Sequence, residues 1–209
     1  VTLAQDILSR TMSLIPVVLS LSVHEWAHAW AAAQLGDTTA RDQGRMTLNP
    51  LAHVDLVGTL ALPLLGVPFG WARPVPVDPT RFRQDVSMTK GTLLTAVAGP
   101  LANLVLALCC ATTLLAGHRL HLLEGQESVA DVLLTRALLV NAVLCAFNLL
   151  PVPPLDGSRI VDGLIPFEHR AAWRKAGPVA LVVVVLLLVA IGSGWVSSLT
   201  RDLGAALAR

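Results

Sequence analysis

Three long stretches without Asp, Glu, Lys or Arg limit what this chain can fold into. They are Gly91–Gly117, Ala137–Leu155 and Ala176–Thr200. Each approaches or exceeds the roughly 20 residues that carry a helix across a bilayer. A soluble domain can bury one such helix, but three in a chain of 209 residues leave little polar surface to enclose them. Charged residues make up 14% of the chain, against about 25% in soluble proteins. The composition therefore points to a multi-pass membrane protein with the lipid bilayer as its solvent. The formal net charge is +1 and no basic cluster with interleaved aromatics occurs, which argues against a nucleic-acid partner. Cys109, Cys110 and Cys145 lie inside apolar runs and read as small hydrophobes, not as a disulfide framework. Residues 1–10 mix polar and apolar types and do not read as a cleavable signal peptide.

Apolar blocks give the organisation, within a single domain over residues 1–209. A first helix is expected over residues 6–35, stopping at Gly36. Residues 55–68 are too short to span and are broken by Gly58, Pro63, Gly66 and Pro68. They predict a re-entrant segment, of the kind tolerated where protein or a water-filled cavity covers it. Phe69–Val77 alternates apolar residues and carries prolines at 74 and 76. That pattern predicts an edge strand or hairpin able to accept an extended peptide; an interfacial loop with a Trp anchor is the alternative. Helices are expected over 90–117, 131–150 and 176–199. The predicted fold class is thus an all-α integral membrane protein: about four transmembrane helices, a re-entrant segment and a short membrane-associated β-strand or hairpin. With residues 55–68 re-entrant, ten of the fifteen basic residues share one side, from Arg41 and Arg45 to Arg174 and Lys175. The positive-inside rule makes that side cytoplasmic.

His24-Glu25-Trp26-Ala27-His28 is the sharpest local signal. On a helix, positions i and i+4 share a face, so both imidazoles can reach one Zn²⁺. Glu25 lies beside them, where it can act as a general base toward water. Ionisable groups within an apolar helix are costly and point to function; the plain alternative is a pair of hydrogen-bonded core histidines. Catalytic zinc usually takes three protein ligands. The best candidate for the third is Asp156, which follows a proline-broken helix end in Asn148-Leu-Leu-Pro-Val-Pro-Pro-Leu-Asp156-Gly157. An ordinary Asp-Gly turn is the alternative there.

These two motifs, in this order on apolar helices, resemble the site-2 protease family of intramembrane zinc metalloproteases. Asn148, Pro151, Pro154, Asp156 and Gly157 match the family's downstream segment, and Ala98-Gly99-Pro100-Leu-Ala-Asn103 is similar to its Ala-Gly-Pro and Asn element. Leu48-Asn-Pro-Leu-Ala-His53-Val-Asp55 and Phe69-Gly-Trp-Ala-Arg-Pro-Val-Pro are similar to the compact prokaryotic branch without PDZ or CBS domains. The resemblance covers roughly residues 10–165. It implies one Zn²⁺ per chain held by His24, His28 and Asp156, with Glu25 as general base and proton shuttle. It implies that Asn148 holds the substrate backbone or the oxyanion. It further implies single-span membrane-protein substrates, a prokaryotic cell membrane and an active site toward the cytoplasm. His53, beside Asp55, is a candidate for a supporting or gating role, or is simply a hydrogen-bonded interfacial residue. Two other function classes fit some of these residues: a membrane metal transporter, and a catalytically inactive relative that binds membrane proteins.

Overall fold

Between Ser20 and His28, the first helix turns its polar residues inward. In the computed structural model, which describes residues 3–65, 71–123, 128–166 and 168–186, α1 runs Leu3–Gln34. Ser20, Ser22, His24, Glu25 and His28 are buried on it, while Ile15, Leu19 and Trp30 are exposed. Ser22 settles its hydroxyl on the Val18 carbonyl at 2.7 Å. Gly36 ends this run with φ +110°, a left-handed conformation that a Cβ disfavours. The Asp37 N–H then turns back to Ala32 O at 3.0 Å.

A short α2 (Thr39–Asp42) follows. Asp55 then caps a π-helical turn, Leu56–Ala61, by accepting from Val57 N and Gly58 N at 3.1 and 2.8 Å. That turn runs on into α3 (Leu62–Leu64). Ser87 caps α4 (Met88–Arg119) and Ser128 caps α5 (Val129–Asn148). These hydroxyls satisfy N–H groups that a helix start leaves free. α6 spans Asp156–Asp162, and α7 covers 168–186. α4 packs on α1, α5 and α6, and α1 also touches α5. The buried polar residues of α1 thereby face α4, α5, Asp156 of α6 and, at Glu25, the segment around Val75.

The structure corrects the predicted fold class. Among the described residues, two helices are long and apolar enough to cross a membrane, α4 and α5, not about four. α1 carries Asp6, Arg10, Glu25 and both motif histidines, so its composition is far more polar. Part of the predicted 176–199 helix, residues 187–199, lies outside the described residues. The predicted re-entrant segment is a π-helical turn and one α turn as far as Leu65, and residues 66–70 lie outside the description.

No β-strand forms among the described residues. Residues 71–78 are extended, but their backbone groups are met mainly by side chains. Thr59 Oγ1 donates to Trp71 O at 2.7 Å, Arg45 Nη2 to Arg73 O at 2.7 Å and to Pro74 O at 3.3 Å. Glu25 accepts from Val75 N at 2.8 Å, and Asp37 from Asp78 N at 2.7 Å. Arg73 N reaches a backbone acceptor, His53 O, at 2.8 Å. Pro74 and Pro76 have no N–H to offer a ladder. The alternation is real, but the segment is strapped to the helices one group at a time.

His118 stands in the last turn of α4. Its Nε2 lies 2.7 Å from Asp131 Oδ1, tying the end of α4 to the start of α5.

Candidate metal centre

Three side chains from two distant parts of the chain converge behind α4. His24 Nε2 lies 3.1 Å and His28 Nε2 3.2 Å from Asp156 Oδ2. The two imidazole Nε2 atoms are 3.0 Å apart. A set of one ligand atom from each residue fits within 4.8 Å. All three residues are nearly enclosed, at 4%, 5% and 9% exposure.

The opposite ring nitrogens decide what this convergence means. His28 Nδ1 faces the Thr95 carbonyl at 2.7 Å and His24 Nδ1 faces Asn103 Oδ1 at 2.6 Å. Both partners are acceptors, so each ring carries its proton on Nδ1. With both rings neutral, each Nε2 points a lone pair at a carboxylate oxygen. Three electron-pair donors aimed at one another could hold a cation. Orientation of ligating histidines through their other nitrogen is general in metal centres.

Local sequence makes this packing possible. A Cβ at Gly99 would collide with His28 Nε2 and would lie 2.6 Å from His24 Cε1. Gly99 therefore leaves the room in which the imidazoles sit against α4. Gly99→Ala is expected to weaken metal affinity about tenfold, in the range found when groups supporting metal ligands are changed; a metal titration of the purified protein measures it. Gly157 does similar work for the carboxylate: its Cβ would lie 2.5 Å from Leu150 O. α6 can thus start directly against the end of α5, with Asp156 as its first residue.

Glu25 does not join the three. Its Oε2 accepts from Val75 N at 2.8 Å, and its side chain is buried between α1 and the extended segment. Asn148 turns back on its own helix, Nδ2 donating to Leu144 O at 3.0 Å. His53 is 1% exposed, with Nε2 2.8 Å from Thr47 O, and it supports Arg73 through its carbonyl. A cavity of about 380 Å³ adjoins the centre, lined by Val77, Thr92, Thr95, Pro153, Ser158 and Arg159 among others.

Sequence reasoning missed Arg45, Asp37 and Asn141. Asn141 had a signal, an amide within an otherwise apolar helix. Arg45 and Asp37 had none, because their partners lie 28 to 41 residues away.

The model of Peptidase family M50 matches residues 117–191, a span that contains Asp156. The chain is 38% identical over 178 residues to the Bacillus subtilis (strain 168) protein named "Putative zinc metalloprotease YwhC", covering 84% of this chain and 79% of that one. The chain belongs to peptidase family M50. It is also 32% identical over 182 residues to "Putative zinc metalloprotease Rip2" of Mycobacterium tuberculosis (strain ATCC 25618 / H37Rv), covering 85% of this chain and 67% of that one. The Rip2 protein of Mycolicibacterium smegmatis is 30% identical over 174 residues, and the chain spans 64% of its length. No solved structure matches. As an M50 peptidase the protein is a zinc metalloprotease. It is membrane-associated, with bacterial relatives and, among the described residues, two helices of membrane length. Its His-His-Asp cluster is able to coordinate a metal ion.

Proposed function

We propose that this M50 peptidase is an intramembrane endopeptidase of the site-2 protease type, acting on peptide bonds in or near the transmembrane segments of single-span membrane proteins. The observation that carries the reading is the convergence of His24 Nε2, His28 Nε2 and Asp156 Oδ2, with both histidine Nδ1 protons engaged elsewhere. Two imidazoles and one carboxylate suit Zn²⁺, one ion per chain, and leave a coordination position for water or substrate. When bound, zinc supplies Lewis acidity for water activation and for charge on the scissile carbonyl oxygen.

The protein's own groups do the rest. Glu25 is the general base. Val75 N–H holds its Oε2, so Oε1 is the atom that takes a proton from water and delivers it to the leaving amine nitrogen. Asn148 binds the substrate backbone. One Nδ2 hydrogen is engaged on Leu144 O, which leaves Oδ1 to accept a substrate N–H and the second Nδ2 hydrogen to donate. His53 supports the extended segment behind Glu25. A helical substrate must unwind before its carbonyl can be attacked, because its own hydrogen bonds shield it.

α4 and α5 support a reading of depth and orientation. Thr95, Gly99 and Asn103 lie about 10–22 Å along α4 from Met88, at 1.5 Å per residue, which supports a centre within membrane depth. Arg81, Arg83 and Lys90 lie at that end of α4, and Arg159 and Arg174 lie beyond the same end of α5. The connection at the other end carries Arg119 with Glu124, Glu127 and Asp131. The positive-inside rule then puts the end nearer the centre in the cytoplasm.

The test is cleavage of a panel of single-span proteins by the purified chain in vesicles, with fragments mapped by mass spectrometry. Cuts inside or beside the spanning segment, lost on zinc chelation and restored by zinc, are expected. Cleavage that persists in zinc-free protein rejects the reading.

A further inference from the structure

The two imidazoles need the same support and receive it from different kinds of group. His28 Nδ1–H meets a backbone carbonyl, Thr95 O, which has only one way to present itself. His24 Nδ1 meets a side-chain amide, Asn103. An amide rotated by half a turn offers –NH₂ in place of oxygen. Rotated so, Asn103 would call for a lone pair at Nδ1 and send the ring proton to Nε2. The lone pair facing Asp156 would be lost. Something must hold the amide.

Asn103 Nδ2 has two acceptors, Asn141 Oδ1 at 2.7 Å and Ser20 O at 3.4 Å. The second lies beyond the usual range for an N–H donor, so the first dominates. Asn141 is itself anchored. Its Nδ2 donates to Ala137 O at 2.8 Å and to Ser20 Oγ at 2.8 Å. A carbonyl only accepts, so the nitrogen of Asn141 must lie there and its oxygen must face Asn103. Both residues are enclosed, at 0% and 2% exposure, so solvent does not compete for these bonds. The chain of command runs from a carbonyl of α5, through Asn141 and Asn103, to a ring nitrogen of α1.

We infer that Asn141 is a positioning residue of the metal centre: by fixing the Asn103 amide it sets the tautomer of His24 and keeps the Nε2 lone pair available to a divalent cation. The inference rests on the proposed ligand role of His24.

A double-mutant cycle tests it. Zinc affinity of the purified full chain is measured by chelator competition for wild type, Asn141→Leu, Asn103→Asp and the double variant. A carboxylate at 103 presents oxygen whichever way it turns, so it no longer needs Asn141 to orient it. Asn141→Leu is expected to weaken zinc binding about tenfold in the otherwise wild-type chain and to cause no loss in the Asn103→Asp background, where the Asn141 oxygen would face a carboxylate oxygen. Equal losses in both backgrounds overturn the relay, since Asn141 would then act by packing alone. A second measurement needs no variant: ¹⁵N NMR of the imidazoles in metal-free wild type. A proton on His24 Nδ1 is expected, and an unprotonated Nδ1 overturns the inference even if Asn141→Leu fails to fold. His24→Ala separates the two levels. Unchanged zinc stoichiometry there rejects the ligand reading itself, whereas lost zinc with an additive cycle rejects only the relay.

Discussion

Glu25→Gln is expected to keep its zinc and to lose about 10²–10⁴-fold in cleavage rate, the range ascribed to general acid–base catalysis. That loss corresponds to roughly 3–5 kcal/mol in the barrier. The substitution is informative because of what it leaves in place. Glu25 Oε2 accepts the Val75 N–H at 2.8 Å, and the amide oxygen of Gln can accept the same bond. The extended segment therefore stays strapped at this point, and α1 stays packed. What disappears is a group able to take a proton from water. Zinc content by elemental analysis and kcat on a cleavable single-span substrate are read together. Undiminished kcat would remove Glu25 from the proton path. A parallel fall in zinc would instead make it a ligand or a support of the ligands. A rise in KM with kcat unchanged would mean that the Val75 strap, not proton transfer, is its contribution.

The sequence made different parts of this arrangement legible for different reasons. α4 and α5 announce themselves because spanning character is a property of composition over about 20 residues. The spacing of His24 and His28 is visible because helix geometry converts i and i+4 into neighbours. The extended segment was misread as a strand because alternation reports local backbone preference only. Whether a strand forms depends on a partner's free N–H and C=O groups. Here Arg45, Glu25 and Asp37 side chains take that place from 28 to 50 residues away. The same limit hid Asn141. Its amide stands out among apolar neighbours, yet only the packing of α1, α4 and α5 makes it the holder of Asn103. Among the described residues, composition also overstated how many helices have spanning character, because α1 carries polar residues, of which Ser20, Ser22, His24 and His28 are buried where it meets α4 and α5.

Asp156→Ala should remove most of the bound metal, weakening zinc affinity by more than about 100-fold, or roughly 2.7 kcal/mol. The bound follows from comparison: groups that merely orient a ligand cost 10–100-fold when changed, and loss of a ligand must exceed that. The fold has little reason to fail with it. α6 is capped by no side chain, so removing this carboxylate strips no cap from its start. Ser158 remains bonded to Leu155 O at 2.7 Å, and Gly157 still fits against the end of α5. Two imidazoles would remain, their Nε2 lone pairs 3.0 Å apart with no negative charge between them. Asp156→Asn separates charge from shape, since it keeps an oxygen in place without the charge. The expected order of affinity is wild type, then Asp156→Asn, then Asp156→Ala, measured by chelator competition on protein whose thermal unfolding is unchanged. If Asp156→Ala holds zinc as tightly as wild type, the third ligand lies elsewhere and the carboxylate only braces the two histidines.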